Sequence, residues 1–518
     1  MAEHRVKGLT HISTDRQLFV DEHMVESTKH AAFTLNPATK YVGNPVIERD
    51  RPWEGETLHY GSVIYDEQEK LFRMWYQSIE HSYTERVPKK SVPTVPGKKA
   101  SRWCYAQSED GMNWEKPSLG FVEFDGSTDN NILGPENWPS IKGGVFIDPH
   151  EKDPGKRFKA LSQQQVWEEG MAPDGDGDED RDVSELKPPP EASRFVWNLY
   201  HSGDALTWTP YEGNPVINRK KSLWGPTAYM GWDPIREVYA VYMENCINKY
   251  AYFGPPMCPP GVRSIGRAES PDLIDWSEPE TIIMPGEEDP PDLEFYSMWT
   301  SAYEKLYIGM LWNFRLTSTT LMPQFVFSRD GVQFDRRYTQ PFIQLGDEGS
   351  FDSVTVYAQQ PIVHGDQIFI YYGGQNYRAS EQFDKLYEER GDDGPTGGIG
   401  LAVVPRDGFV SLDSGYKHYG EIVTRSFCFE GRNLQLSMRR AWRGWSSDHP
   451  DVRVELLAAD HTPLEGYTFD DADNIGDTGS EIVATWNGKA DVGHLAGRPI
   501  KLKFYCKNVK LFGFQFVE

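Results

Sequence analysis

The feature that most constrains the fold of this chain is a repeat. An apolar hairpin pattern recurs as GSVIYDEQEKLFRMWYQS from Gly61, GGVFIDPHEKDPGKRFKALSQQ from Gly143, AYMGWDPIREVYAVYMEN from Ala228, SMWTSAYEKLYIGMLWN from Ser297 and SVTVYAQQPIVHGDQIFIYYGG from Ser353. These runs alternate and are rich in Val, Ile, Tyr and Phe, the pattern of strands rather than helices. The turn His364-Gly365-Asp366 supplies the Gly and Asp that a tight reversal needs. The spacing of the copies, roughly 60 to 85 residues, falls in the range of propeller blades.

A second series interleaves with the first: YAQSEDGMNW from Tyr105, LYHSGDALTW from Leu199, RAESPDLIDW from Arg267, FVFSRDGVQF from Phe325 and a frayed copy, GLAVVPRDGF, from Gly400. In Ser-x-Asp-Gly-x-x-Trp the Asp accepts from backbone N–H groups of its own turn and the Gly allows the left-handed conformation. The aromatic three residues on packs between neighbouring sheets. These Asp residues are read as turn staples and not as catalysts.

Together the two series predict an all-β chain, a five-bladed β-propeller with four strands per blade followed by a C-terminal β-sandwich. The propeller is expected over residues 1–414 and the sandwich over 415–518. From about Lys417 the runs EIVTRSFCFEGRNLQLSMRRAW, VRVELLAADHTPLEGYTF and PIKLKFYCKNVKLFGFQFV alternate without the Asp-Gly signature. The sandwich is expected to brace the propeller. The segment 15–25, DRQLFVDEHMV, is expected to pair with the last blade and close the ring, which removes an exposed edge.

Residues 168–193 form an acidic insertion placed between the second and third blades. Within it Asp174, Asp176, Asp178, Asp180, Asp182 and Glu185 approach the spacing of a calcium loop, but Glu179 occupies the position that requires Gly. A solvated acidic loop is the expectation, with no metal and no other cofactor.

The net charge of -25 argues against nucleic acid and anionic membrane as partners and favours a neutral or cationic ligand. No run approaches membrane-spanning length, and the N-terminal MAEHRVKGLTHISTDRQLFV lacks an apolar leader core. The five cysteines, Cys104, Cys246, Cys258, Cys428 and Cys506, are scattered and odd in number, as free thiols of a reducing compartment are. A cytoplasmic location is expected, and self-association into a homo-oligomer is left open.

In a propeller the loops entering the innermost strands converge at one mouth. Aligning the hairpins places Glu54 and Glu56 before the first of these strands, Lys142 before the second, Asp292 and Glu294 at the fourth, and Asp352, with Glu348 near it, before the fifth. Carboxylates from three blades thus meet. That arrangement suits glycoside hydrolysis, where one acid protonates the leaving oxygen and another attacks the anomeric carbon or activates water. Glu56, Asp292, Glu294 and Asp352 are the candidate catalytic residues. Arg51, Trp53, Glu54, His59, Lys142, Tyr296, Trp299 and Glu348 are the candidate substrate contacts, the cations binding hydroxyls or a carboxylate and the aromatics stacking on a ring.

Five blades, acids at inner strands and a trailing sandwich resemble the fructan-hydrolase family 32 and the related family 43 arabinanases and xylosidases. LFVDEHMVE, NPVIERDRPWEGE, YAQSEDGMNWEKPSLGFVEFDG, LAVVPRDGFVSLDSG and LKFYCKNVKLFGFQF resemble, over nearly the full length, bacterial proteins labelled family-32-like glycosyl hydrolases. The resemblance implies a glycosidase acting on a furanoside or a related oligosaccharide. The Trp-Met-Asn-Asp-Pro-Asn-Gly signature of family 32 does not occur in this chain, nor does Arg-Asp-Pro; Ile147-Asp148-Pro149 and Trp232-Asp233-Pro234 lie in hairpin turns. The candidate residues therefore come from blade alignment. The alternatives are a non-catalytic sugar-binding propeller and a glycoside phosphorylase, which would need cations such as Arg51, His59 and Lys142 for phosphate.

Overall fold

The computed structural model of the chain describes residues 9–80, 100–134, 144–167, 193–218, 227–247, 262–378, 396–441 and 449–518, with 386, 389, 390 and 394 between them. It is all-β. The repeated hairpins open five successive antiparallel groups of strands. The first orders Thr57–Asp66, Leu71–Glu80, Ala100–Ser108 and Ile132–Leu133. The second orders Val145–Ile147, Phe158–Trp167, Ser193–Ser202 and Thr209–Pro210, and the third Thr227–Asp233, Val238–Ile247, Val262–Ser270 and Glu280–Ile283.

The fourth group runs Leu293–Tyr303, Leu306–Arg315 and Thr320–Ser328, with Phe334–Asp335 at its edge. The fifth runs Thr355–Ala358, Gln367–Gln375, Gly397–Pro405 and Thr39–Lys40. A single parallel pairing, Leu321 with Thr355, joins the last two groups.

The Ser-x-Asp turns hold as expected. Asp110, Asp204, Asp272 and Asp330 each accept from the two backbone N–H groups two and three residues on, at 2.7–2.9 Å. The aromatic after each turn packs onto the preceding group: Trp208 among Trp75 and Tyr105, Trp276 among Trp197 and Leu199, Phe334 against Tyr242. Trp114, in the first group, meets Tyr371 of the fifth at 5.6 Å between ring centres. The Tyr371 hydroxyl donates to the Gly111 carbonyl at 2.6 Å, so the succession of sheets returns to its start. The frayed copy behaves differently. Asp407 accepts from Arg16 and from the Tyr303 hydroxyl, and so ties the N-terminal arm to the fourth and fifth groups.

Two further sheets enclose one apolar core that includes Phe19, Phe427, Leu436, Val454, Phe504 and Phe514. One contains Asn433–Arg440, Gly479–Val483 and Val509–Val517, and the other Gly420–Thr424, Asp451–Ala458 and Ile500–Lys507. In the last strand Leu502, Phe504 and Cys506 face this core while Lys503, Tyr505 and Lys507 remain half-exposed, the alternation of a sheet with one solvated face.

Three expectations are corrected. Segment 15–25 does not close the ring: Gln17–Leu18 pairs with Val509–Val517, and Val25 pairs with Thr424. Phe19 and Met24 join the C-terminal core, and removing their apolar surface from water favours that pairing. The N-terminal strand that completes the fifth group is instead Thr39–Lys40, which pairs with Ala402 and Val403. The boundary at 415 shifts as well, because Val410–Ser414 and Ala31–Leu35 already pair in a C-terminal sheet. The acidic insertion joins two neighbouring strands of the second group, Phe158–Trp167 and Ser193–Ser202, rather than two groups. Its interior, with the calcium-like spacing, lies outside the described residues.

Candidate functional site

The opening strands of the first, third and fourth groups are bulged at corresponding places. Their registers shift between His59 and Ser62, between Tyr229 and Gly231, and between Phe295 and Met298. A bulge re-aims a side chain and interrupts pairing, and it recurs beside functional sites. In the fifth group the opening strand breaks after Ala358, and Gln359 donates its amide to the carbonyl of Gly61 within the first bulge at 3.0 Å.

Tyr296 lies in the fourth-group bulge, half-buried. Its ring stacks on Trp312 at 6.3 Å and stands 6.5 Å from Tyr357 of the fifth group. The Arg263 guanidinium lies over it, 5.3 Å from the ring centre. Arg263 forms an ion pair with Glu294 and lies 3.3 Å from Oε1 of Glu244. All three charged side chains are buried. Two carboxylates from different groups therefore share one guanidinium beside an aromatic wall.

Glu56 precedes the first opening strand and is 0 % exposed. Its main chain passes the glycines of the fifth group. A Cβ at Gly397 would stand 3.1 Å from the Glu56 carbonyl oxygen and 2.9 Å from that of Gly374. A Cβ at Gly374 would stand 2.5 Å from Cβ of Asp352. The glycine pair is what lets the Glu56 and Asp352 segments approach. From Thr57, the next residue, contacts and one chain step lead onward. Thr57 is hydrogen-bonded to Tyr377 through their hydroxyls. Gln375, two residues earlier, accepts from Thr355 at 3.3 Å and from Tyr357 at 3.4 Å. Tyr357 faces Tyr296, and Tyr296 lies against Arg263 and so beside Glu294.

The other candidates fall differently. Asp352 is buried, and its carboxylate accepts from Lys40 at 2.5 Å, Tyr372 at 2.8 Å and Ser350 at 3.0 Å. Burial pushes the Tyr372 hydroxyl well above its ordinary range, and the Asp352 charge adds to this. Asp292 is held by Arg315 at 2.8 Å and by Thr317, and the Arg315 contact brings its carboxyl down to about 2. A carboxyl that acidic is ionised throughout the neutral range. Glu54 binds Lys116, Tyr76 and two backbone N–H groups.

Trp53 donates to Asn131 at 2.7 Å and packs edge-on to Phe124. Trp299 is a correction. It is 4 % exposed and lies in the core with Ile308 and Met310, because strand alternation at that position turns it into the sheet packing rather than toward a ligand. Arg51 and Glu348 are exposed. The side chain of His59, and all of Lys142, lie outside the described residues.

Glu244, Arg263, Tyr357, Gln375 and Tyr377 were not singled out from the sequence. One available signal was the charge that ends the apolar run VYAVYMEN and the Arg that opens VRSIGRAES, since hairpin partners with opposite charges at matching ends meet across a sheet. Among the described residues no group of three His, Cys, Asp or Glu side chains is arranged to hold a metal ion, and no helix is long and apolar enough to cross a membrane.

No protein-family model matches the chain, and no curated protein matches it. Solved structures similar to it include a glycosyl hydrolase from Bacteroides ovatus, 13% identical, with a TM-score of 0.41 over 71% of this chain and 94% of that one. A GH32 β-fructofuranosidase of Bombyx mori is 12% identical, with a TM-score of 0.41 over 93% and 94%. An N-acetylgalactosamine deacetylase from F. plautii is 13% identical, with a TM-score of 0.38 over 73% and 96%. The residue assignments that follow rest on the side chains of this chain.

Proposed function

We propose that the five strand groups form a five-bladed β-propeller braced by a C-terminal β-sandwich, and that the chain is a glycoside hydrolase acting on a furanoside or a related oligosaccharide. The observation that carries this reading is the path from Thr57, next to Glu56, to Glu294, made of polar and ring contacts and of one chain step, from Tyr377 to Gln375. In a propeller the starts of the opening strands share one mouth, so two enclosed carboxylates from different blades serve one cavity. Glu294, ion-paired to Arg263, suits the carboxylate that attacks the anomeric carbon or activates water, and Glu56 suits the proton donor to the leaving oxygen. Tyr296 and Tyr357 offer ring surface to a sugar.

Asp352 and Asp292, engaged by Lys40 and Arg315, serve as supports for these segments. Two-carboxylate chemistry needs no cofactor. Cys104, Cys428 and Cys506 are unpaired and buried, which agrees with a reducing cytoplasm as the compartment.

The test is turnover of purified protein on a panel of p-nitrophenyl glycosides and oligosaccharides, with and without phosphate. Hydrolysis independent of phosphate, lost in Glu56→Gln and in Glu294→Gln while binding persists, is the expected outcome. Turnover only with phosphate would make the chain a phosphorylase. Binding without turnover would make it a sugar-binding propeller.

A further inference from the structure

We infer that the buried network of Glu54, Lys116, Tyr76 and Asn131 is a positioning device for Glu56, an inference that rests on the catalytic reading above. Glu54 and Lys116 are almost wholly enclosed, their side chains 0% and 6% exposed. The Lys116 ammonium donates to both Glu54 oxygens at 2.8 and 2.9 Å, to Asp50 at 2.5 Å and to the Glu48 carbonyl at 2.9 Å. The Glu54 carboxylate in turn accepts from the backbone N–H groups of Asp50 and Arg51, both at 3.1 Å, and from the Tyr76 hydroxyl at 2.7 Å. Asn131 donates to Tyr76 at 2.8 Å and accepts from the Trp53 indole at 2.7 Å. The Gly55 N–H donates to Ser78 at 2.7 Å, and a Cβ at Gly55 would come within 2.2 Å of the Ile79 carbonyl oxygen. Every residue from Glu48 to Gly55 except Pro52 is thus held by the network or its anchors, Arg49 through its side-chain bond to the Glu54 carbonyl at 3.0 Å.

Stability does not explain this arrangement. Enclosing a Lys–Glu pair costs desolvation that its attraction repays only with excellent geometry, and a well-packed apolar substitute is often as stable or more so. What the charged network provides and an apolar one does not is directional fixation of a short irregular segment. That segment ends on Glu56, one residue before the strand begins. Reacting groups need such fixation, because a displacement of about 1 Å can lower turnover on the order of a hundredfold.

The test uses two variants of the full chain. Tyr76→Phe keeps the ring and removes the hydroxyl link. Glu54→Gln/Lys116→Met removes both charges while keeping shape and the acceptor for the backbone. Lys510→Met, which breaks an ion pair with Asp413 in a C-terminal sheet, is the control. The readouts are hydrogen exchange at the amides of Asp50, Arg51 and Gly55, and kcat and KM on the p-nitrophenyl glycoside that the unaltered chain turns over fastest. Both variants are expected to exchange those amides faster and to lose kcat by about tenfold or more with KM nearly unchanged, and the control to change neither. Unchanged exchange, or faster exchange with unchanged kcat, overturns the inference while leaving Glu56 in place. An inactive parent chain, or full activity in Glu56→Gln, removes the catalytic reading and this inference with it.

Discussion

Asp233 links two strand groups, and its removal makes a quantitative prediction. The residue is 0% exposed. Its carboxylate accepts from Tyr307 of the next group at 2.8 and 2.9 Å, from Arg267 at 2.7 Å, and from the backbone N–H groups of Ile235 and Arg236 at 3.0 and 3.1 Å. In Asp233→Ala the Arg267 guanidinium, 3% exposed, loses its buried counter-charge. Breaking a buried pair in this way costs about 3–5 kcal/mol. The lower end applies, since Arg267 keeps Glu269 at 2.9 Å. At about 2 °C per kcal/mol for a large domain, the melting temperature should fall by roughly 6 °C.

Tyr307→Phe alone removes one donor from a charged acceptor and should cost about 1.5–3 kcal/mol. Once Asp233 is gone the hydroxyl has lost that acceptor, so Tyr307→Phe should add little in the Asp233→Ala background. Thermal unfolding of the two single variants and the double variant, followed by circular dichroism, decides the matter. Strictly additive shifts, or a fall of less than about 1 °C for Asp233→Ala, would refute this account of the Asp233 link.

Other outcomes follow from the same contacts. Asn44→Ala should weaken ring closure, because the Asn44 amide bonds both the N–H and the carbonyl of Leu401, at 2.8 and 2.9 Å; faster exchange of the Leu401 amide with the C-terminal sheets unaffected is expected. The Asp292 carboxyl is lowered to about 2 by the Arg315 contact, and the Glu151 carboxyl to about 2 by its bond to Lys159. Both folded values lie below the unfolded ones, so this stability is fully present above about pH 4 and is lost as pH falls toward about 2. An acid titration of Asp292→Asn should show a smaller loss across that window than the parent chain. In kinetics Asp292→Asn should keep most activity while Glu294→Gln loses it, and the reverse order would move the attacking or water-activating role from Glu294 to Asp292.

Much of the architecture was legible because turns and alternation are local. Asp110, Asp204, Asp272 and Asp330 act within their own four residues, and short-range chemistry is what a repeat displays. Closure was misplaced at residues 15–25, although a signal for its position was present: YVGNPVI at Tyr41–Ile47 recurs as YEGNPVI at Tyr211–Ile217, and in both copies the Asn bonds the backbone of a neighbouring strand. That pair marks the outer strand of a group and places the closing segment at Thr39–Lys40. Residues 15–25 misled because an alternating apolar run says that a strand forms and not which sheet receives it. The site was less legible for the same reason. Glu54, Asp292 and Asp352 stand beside opening strands as aligned, but their partners Lys116, Arg315 and Lys40 come from other strands or loops. Glu244 and Glu294 share Arg263, and the Arg263–Glu294 half of that contact crosses from one strand group to the next, which the charge pattern within one hairpin does not encode.

The most direct test of the account is an experimental structure of Glu294→Gln protein soaked with the oligosaccharide that the parent chain cleaves. A sugar ring lying against Tyr296, with Glu56 on one side of the scissile bond and position 294 on the other, is the predicted result. A sugar bound to the C-terminal sheets alone, or side chains at 56 and 294 separated by more than one sugar unit can span, would contradict it.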